Sequence, residues 1–245
     1  MKVIIAIPAR YASKRFPGKP LALIKGKPMI QWVYEKAKKV SSDFPLGERE
    51  LMGIDIIIAT DDKRIKKTCE NFGAKVIMTP SDLPSGTDRV YHATKNMDYD
   101  YVLNLQGDEP LIYEKDLRNL IGETVRNDYP CATLIHKAYT GISDPDIVKV
   151  VIDRENKALY FSRAPVPFGR DESPSFYYKH IGVYIYKKEI LEKFVKLKES
   201  YLEKIEKLEQ LRLLENGIPI YCIFAERDTI PVDREEDIEK VEKFL

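Results

Sequence analysis

Arg10, Lys14, Arg15 and Lys19 fall within ten residues, and no acid lies between them. Cations held this close repel one another unless an anion sits among them, and a polyphosphate fits that charge. Pro8, Pro17 and Pro20 each fix φ near about −65°, so the loop is stiff at both ends. Cations in an arbitrary loop are ordinarily solvated surface. Here they follow Lys2-Val3-Ile4-Ile5-Ala6-Ile7-Pro8, an apolar run that reads as a buried strand, and the position reverses the expectation. No Gly-x-x-x-x-Gly-Lys-Ser/Thr and no Gly-x-Gly-x-x-Gly occurs, which excludes the P-loop and dinucleotide-binding ways of holding phosphate.

Two further groups carry chemistry. Gln106-Gly107-Asp108-Glu109-Pro110 follows a second apolar strand, Tyr101 to Leu105. A carboxylate there suits Mg²⁺, which takes one or two carboxylates and completes its shell with water and phosphate oxygens. Gly107 lets the backbone approach closely. Ser85-Gly86-Thr87 offers hydroxyls and backbone N–H groups at a helix start, or else Ser85 or Thr87 simply caps that helix. Asp61 and Asp62 pose the same choice, with one of them capping the helix of residues 63–72.

These groups need a scaffold. Helical spacing runs over Met29–Val40, with Ile30, Val33, Ala37 and Val40 on one face. A surface loop over 41–53 leads to strand 54–59, helix 63–72 and strand 74–78. Helix 87–97, strand 101–105, helix 114–127 and strand 132–135 follow. Strands alternating with helices predict an α/β fold with a Rossmann-like, mostly parallel sheet flanked by helices. Ligands bind such sheets outside the carboxyl ends of the strands. The pattern changes at 148–187. Strands 148–152, 158–161 and 180–186 have no helix between them, and a Pro-rich loop spans 164–175. This reads as a smaller antiparallel insert whose aromatic face covers a substrate or makes a homodimer contact. Helices 188–198 and 203–216 and strand 218–224 complete the order, and Asp233 with Glu236 reads as a capping-box variant opening the last helix.

The 245-residue chain suffices for one large α/β domain or two small ones. Forty basic and 39 acidic residues leave a net charge of +1, so no nucleic-acid or membrane surface is expected and charge must act locally. Cys69, Cys131 and Cys222 are scattered, which suggests a reducing compartment. No signal-peptide pattern is present, and a soluble cytoplasmic protein is expected. His92, His136 and His180 form no zinc pattern, and no Gly-x-Ser-x-Gly elbow occurs.

The ordered motifs resemble one family over nearly the whole chain, the CMP-Kdo synthetases (3-deoxy-manno-octulosonate cytidylyltransferases), relatives of the CMP-sialic acid synthetases. The matching pieces are Pro8-Ala9-Arg10-Tyr11-Ala12-Ser13 with Pro17-Gly18-Lys19-Pro20-Leu21, then Ala59-Thr60-Asp61 and Ser85-Gly86-Thr87-Asp88-Arg89. They continue with Asn104 through Pro110, Leu159-Tyr160-Phe161-Ser162-Arg163-Ala164 and Leu208-Glu209-Gln210-Leu211-Arg212. One departure stands out. The family shows Gly before Val-Asp and Thr-Pro after it, whereas this chain reads Ile230-Pro231-Val232-Asp233-Arg234-Glu235.

The resemblance implies a single nucleotidyltransferase domain over 1–245 that moves CMP from CTP to Kdo, releasing pyrophosphate, for lipopolysaccharide synthesis. It implies Arg10 and Lys19 on the CTP phosphates, with Ser13 beside them, and a nucleoside pocket of Pro8, Ala9, Arg10, Ser85 and Gln106. It implies Mg²⁺ on Asp108 and Asp233, and Arg163, His180, Glu209 and Gln210 in the sugar-acid site. From their surroundings alone the last four read as structural or surface residues, Glu209 and Gln210 lying off the apolar stripe of their helix. The rival expectations are the same fold acting on sialic acid or another 2-keto sugar acid, and a nucleotide-binding regulator without turnover.

Overall fold

The first strand decides the layering. In β1 (Lys2–Ala9) every residue after Lys2 is buried, because both faces of the strand are covered. Val3, Ile5 and Ile7 point to one core and Ile4 and Ala6 to the other. The period of two in strand side chains divides a continuous apolar run between two layers in this way. The computed structural model describes residues 1–12, 15–43, 53–171 and 175–245.

After a 3₁₀ turn at Lys19–Leu21, β2 (Leu23–Ile24) and β3 (Lys27–Pro28) form a small antiparallel pair. α1 (Met29–Asp43) buries Ile30, Val33, Ala37 and Val40, the predicted face. Its last turn includes residues 41–43, the start of the expected loop, whose remainder over 44–52 lies outside the described residues. Then come β4 (Gly53–Thr60), α2 (Lys63–Asn71), β5 (Val76–Met78), α3 (Gly86–Thr94), β6 (Tyr101–Asn104), α4 (Glu114–Arg126) and β7 (Cys131–Ala138). β8 (Lys149–Ile152), β9 (Ala158–Ser162) and β10 (Tyr177–Lys187) follow, then α5 (Lys188–Lys196), α6 (Tyr201–Glu206), α7 (Leu211–Glu215), β11 (Tyr221–Phe224) and α8 (Asp237–Glu242).

The sheet order is β11-β7-β10-β6-β1-β4-β5. Pairings β1–β4, β1–β6, β4–β5 and β7–β11 are parallel, and β10 runs antiparallel to both neighbours. α1, α2 and α4 contribute to one core, and α3, α5 and α7 to the other. The mostly parallel, helix-flanked architecture is the expected one. The smaller antiparallel stretch is also the expected one, and it is continuous with the main sheet. Its last strand, β10, leaves β8 at Tyr178–Lys179 and enters the main sheet, where Tyr184–Lys187 pair with β6. Ile181, Val183 and Ile185 of β10 are buried, which holds it in the core rather than outside it.

Two local expectations change. The helix expected over 203–216 is broken, because Lys207 takes the left-handed conformation at φ 55° and ends α6. Ser162 Oγ and the Arg163 N–H bind the Glu206 carboxylate at 2.7 and 2.8 Å, while Thr87 holds Glu209. Anchors on separate elements outweigh the local preference for one helix. At the C-terminus Asp233 caps nothing. The Asp237 carboxylate accepts from the N–H groups of Asp233 and Arg234, and helix α8 starts three residues later than expected.

Candidate active site

β4 lies on one side of β1 and β6 on the other, so the chain order reverses at the carboxyl end of β1. That is where a doubly wound sheet opens a crevice. Gly107 makes the crevice shallow at its floor. A Cβ there would stand 3.1 Å from the Pro8 carbonyl and 3.2 Å from Ile30. The cationic loop folds back over the opening. Gly18, at φ 75°, donates its N–H to the Tyr11 carbonyl at 2.9 Å and sets Lys19 above β1.

Lys19 Nζ lies 2.5 Å from Asp108 Oδ2 and 3.6 Å from Asp233 Oδ1. Arg15 Nη2 lies 3.0 Å from the same Asp233 oxygen. Two features bring Asp233 here from the far end of the sequence. The Val232 N–H donates to the Asp108 carbonyl at 2.9 Å. A small apolar cluster of Ile24, Met29, Val232 and Val241 ties α8 to the β2–β3 pair. Beside them a cavity of about 400 Å³ is lined by Pro8, Ala9, Arg10, Lys19, Gln106 and Asp108. Ser13, expected in this group, and Lys14 lie outside the described residues.

Asp108 and Asp233 reach one ammonium between them, so the pair already has the donor chemistry and the convergence that a divalent cation needs. Among the described residues no set of three or more His, Cys, Asp or Glu is grouped for a metal. Two carboxylates with phosphate and water oxygens fit Mg²⁺ rather than an all-protein cage.

Arg10, Ser85 and Gln106 also line a wider cleft of about 900 Å³, together with Arg163, His180, Glu209 and Gln210. Ser85 is the N-cap of α3, accepting from the Asp88 N–H at 3.2 Å and donating to Asp88 Oδ2 at 2.7 Å. It caps and faces the cleft at once. Asp62 caps α2, and Asp61 pairs with the fully buried Arg89 at 3.0 Å. The break after α6 folds Glu209 and Gln210 inward. Gln210 is 4% exposed, against the solvated position that helical spacing predicts. Glu209 accepts from the Thr87 hydroxyl, and burial raises its pKa above the ordinary carboxylate value.

The Arg163 guanidinium is partly committed. Nε donates to the Glu206 carbonyl at 2.9 Å and Nη1 to the Pro145 carbonyl at 2.8 Å. Nη2 has no partner among the described residues, which leaves its hydrogens for an anion in the cleft. His180 lines the same cleft. Burial lowers its pKa to about 3, so the ring is neutral. The Thr133 hydroxyl gives its proton to the Val183 carbonyl at 2.7 Å, and His180 Nε2–H donates to Thr133 Oγ1 at 3.0 Å. Nδ1 is then an acceptor.

Three buried polar residues carry contacts that the sequence does not reveal. Lys149 Nζ donates to the carbonyls of Asp144, Ile147 and Arg163 at 2.8, 2.7 and 2.6 Å, pinning the loop before β8 beside Arg163. Thr87 and Asn104 lie between the two cavities. The signal was present in Lys149 and Asn104, each a polar residue inside an apolar strand, where an unpartnered group is costly.

A protein-family model described as "Cytidylyltransferase" matches residues 4–238. A Chloroherpeton thalassium protein named 3-deoxy-manno-octulosonate cytidylyltransferase is 43% identical, spanning 100% of this chain and 98% of its own. A Thermodesulfovibrio yellowstonii protein of the same name is 45% identical over 100% and 98%. A Shewanella protein named 8-amino-3,8-dideoxy-manno-octulosonate cytidylyltransferase is 46% identical over 100% and 99%. Among solved structures, a CMP:2-keto-3-deoxy-manno-octonic acid synthetase complexed with CTP superposes with a TM-score of 0.90 at 40% identity, covering 100% of this chain and 98% of that one.

Proposed function

The chain belongs to the cytidylyltransferase family, and from that premise we propose that it transfers CMP from CTP to Kdo, with release of pyrophosphate, in a Mg²⁺-dependent reaction of lipopolysaccharide synthesis. One observation supports this above the others: the loop cations and two converging carboxylates meet at the carboxyl end of β1, beside a second, wider cleft.

The reaction is an in-line displacement at the α-phosphorus. The anomeric oxygen of Kdo forms the new O–P bond as the bond to pyrophosphate breaks. Such transfer asks a protein for positioning and charge neutralisation. Arg10 and Lys19 neutralise the triphosphate, and Pro8, Ala9, Arg10, Ser85 and Gln106 hold the nucleoside. Asp108 and Asp233 would hold Mg²⁺, which when bound supplies positive charge against the phosphates. Arg163, His180, Glu209 and Gln210 hold the sugar acid: Arg163 through Nη2 on its carboxylate, Glu209 and His180 Nδ1 as acceptors for its hydroxyls.

A homodimer contact through 148–187 belongs to the same proposal, supported by Leu159 and Phe168, 60% and 84% exposed. We place the protein in the cytoplasm on its three free cysteines. Among the described residues no helix is long and apolar enough to cross a membrane.

Incubation with CTP, Kdo and Mg²⁺ should give CMP-Kdo and one pyrophosphate per turnover. Absence of both products sinks the proposal. The 8-amino-3,8-dideoxy sugar is the second reading, favoured by the 46% identity to relatives named for it. Parallel assays of the two acids decide by their kcat/KM ratio.

A further inference from the structure

Glu209, Thr87, Asn104 and Gln106 form a continuous line of hydrogen bonds between the two cavities. Thr87 Oγ1 contacts Glu209 Oε1. Asn104 Nδ2 lies 3.2 Å from Thr87 Oγ1, and Gln106 Nε2 lies 3.0 Å from Asn104 Oδ1. The middle pair is sealed, with Thr87 1% and Asn104 0% exposed. Only the ends reach a cavity: Glu209 the wide cleft, Gln106 both.

The direction of every bond follows from the one at the Glu209 end. There the Thr87 hydroxyl donates to Glu209 Oε1. A hydroxyl has one proton, and spending it there leaves Oγ1 an acceptor. Asn104 must therefore turn its NH₂ toward Thr87 and its carbonyl toward Gln106. Gln106 in turn must give an N–H to that carbonyl. Its own carbonyl oxygen, Oε1, is the end left over. It takes no hydrogen bond from the described residues, and it lies beside the first residue of α3, 3.4 Å from where a Gly86 Cβ would stand.

We infer that Thr87 and Asn104 are positioning residues that lock the Gln106 amide with its carbonyl oxygen toward the junction of the two cavities. There it accepts a hydrogen bond from a hydroxyl or amino group of a bound substrate and repels a phosphate oxygen. The inference rests on the proposal that the cavities hold CTP and a sugar acid. The lock acts before either arrives, because all four residues belong to the free protein. Sequence position hides the relation: the line joins the start of α3, the end of β6 and the break after α6. Buried polar chains of this kind are rigid when each member is satisfied.

The test is a double-mutant cycle in steady-state kinetics with CTP, Kdo and Mg²⁺. Thr87→Val should lower kcat/KM roughly tenfold, the scale of one coupled contact, and Thr87→Ser should keep it within about twofold. In a Gln106→Ala background, Thr87→Val should cost less than about twofold further, since the residue it positions is gone. An equal loss in both backgrounds, or none in the wild type, overturns the inference. Should Thr87→Val fail to fold, Asn104→Ala enters the same cycle with the same outcomes. The side-chain amide signal of Gln106 in ¹⁵N-labelled protein, assigned by its loss in Gln106→Ala, reads the lock without any turnover. It should move in Thr87→Val and stay in Thr87→Ser; an unmoved signal overturns the inference. A wild-type protein inactive on Kdo but with this spectral response would sink the proposed function alone.

Discussion

Lys19 Nζ lies 2.5 Å from Asp108 and 3.6 Å from Asp233, so the cation proposed to hold phosphate rests between the two carboxylates proposed to bind a metal. Substrate binding on this geometry is an exchange of partners. On the proposed function, phosphate oxygens would take Lys19 and Arg15, and the freed carboxylates would hold the divalent ion. Metal affinity and nucleotide affinity are then linked, and linkage is reciprocal.

Lys19→Met should therefore tighten Mn²⁺ binding to the nucleotide-free protein by roughly tenfold, a typical size for such coupling, while raising KM for CTP. Electron paramagnetic resonance titration of free Mn²⁺ measures the first and steady-state kinetics the second. Unchanged Mn²⁺ affinity would show that Lys19 does not occupy the cation's place.

Asp108→Asn should fold normally and lose at least about 10²-fold in kcat, the scale for removing one electrostatic stabiliser. Asp233→Ala tests the other carboxylate. Because Asp237, not Asp233, accepts the N–H groups before α8, the melting temperature should hold while activity falls. A lower melting temperature with full activity would restore a capping role for Asp233.

Lys149→Met should destabilise the fold and raise KM for the sugar acid more than for CTP. Three part-buried backbone carbonyls lose their donor; a fully buried acceptor left unpaired costs about 1–3 kcal/mol, and these cost less. Thermal melting and the two KM values check it. Equal effects on both substrates would make Lys149 a general stabiliser.

His180 gives a pH dependence of definite sign. Burial lowers its pKa in the fold from 6.5 to about 3. Between those values the unfolded chain binds a proton that the fold does not, so the histidine weakens the fold as pH drops through that window. Above the unfolded value it has no such effect. His180→Asn should flatten the loss of stability between about pH 6.5 and pH 4, measured by urea unfolding. An unchanged slope would mean that the ring titrates normally.

Much of this molecule was legible in the chain. The apolar runs of β1, β4 and β6, the face of α1 and a cap at Asp61 or Asp62 follow from period, burial and capping chemistry, all of which are local. Local rules also gathered the four cations and placed an acid beyond a central strand. Tertiary structure decided the rest, because it depended on partners far away in sequence. The Val232–Asp108 hydrogen bond, not a helix cap, sets Asp233 beside Lys19. Anchors at Ser162 and Thr87 broke a helix that spacing alone favours and turned Glu209 and Gln210 into the cleft. The order Glu209–Thr87–Asn104–Gln106 exists only once three separate elements meet. A hydrogen bond across 122 residues leaves no periodicity to read.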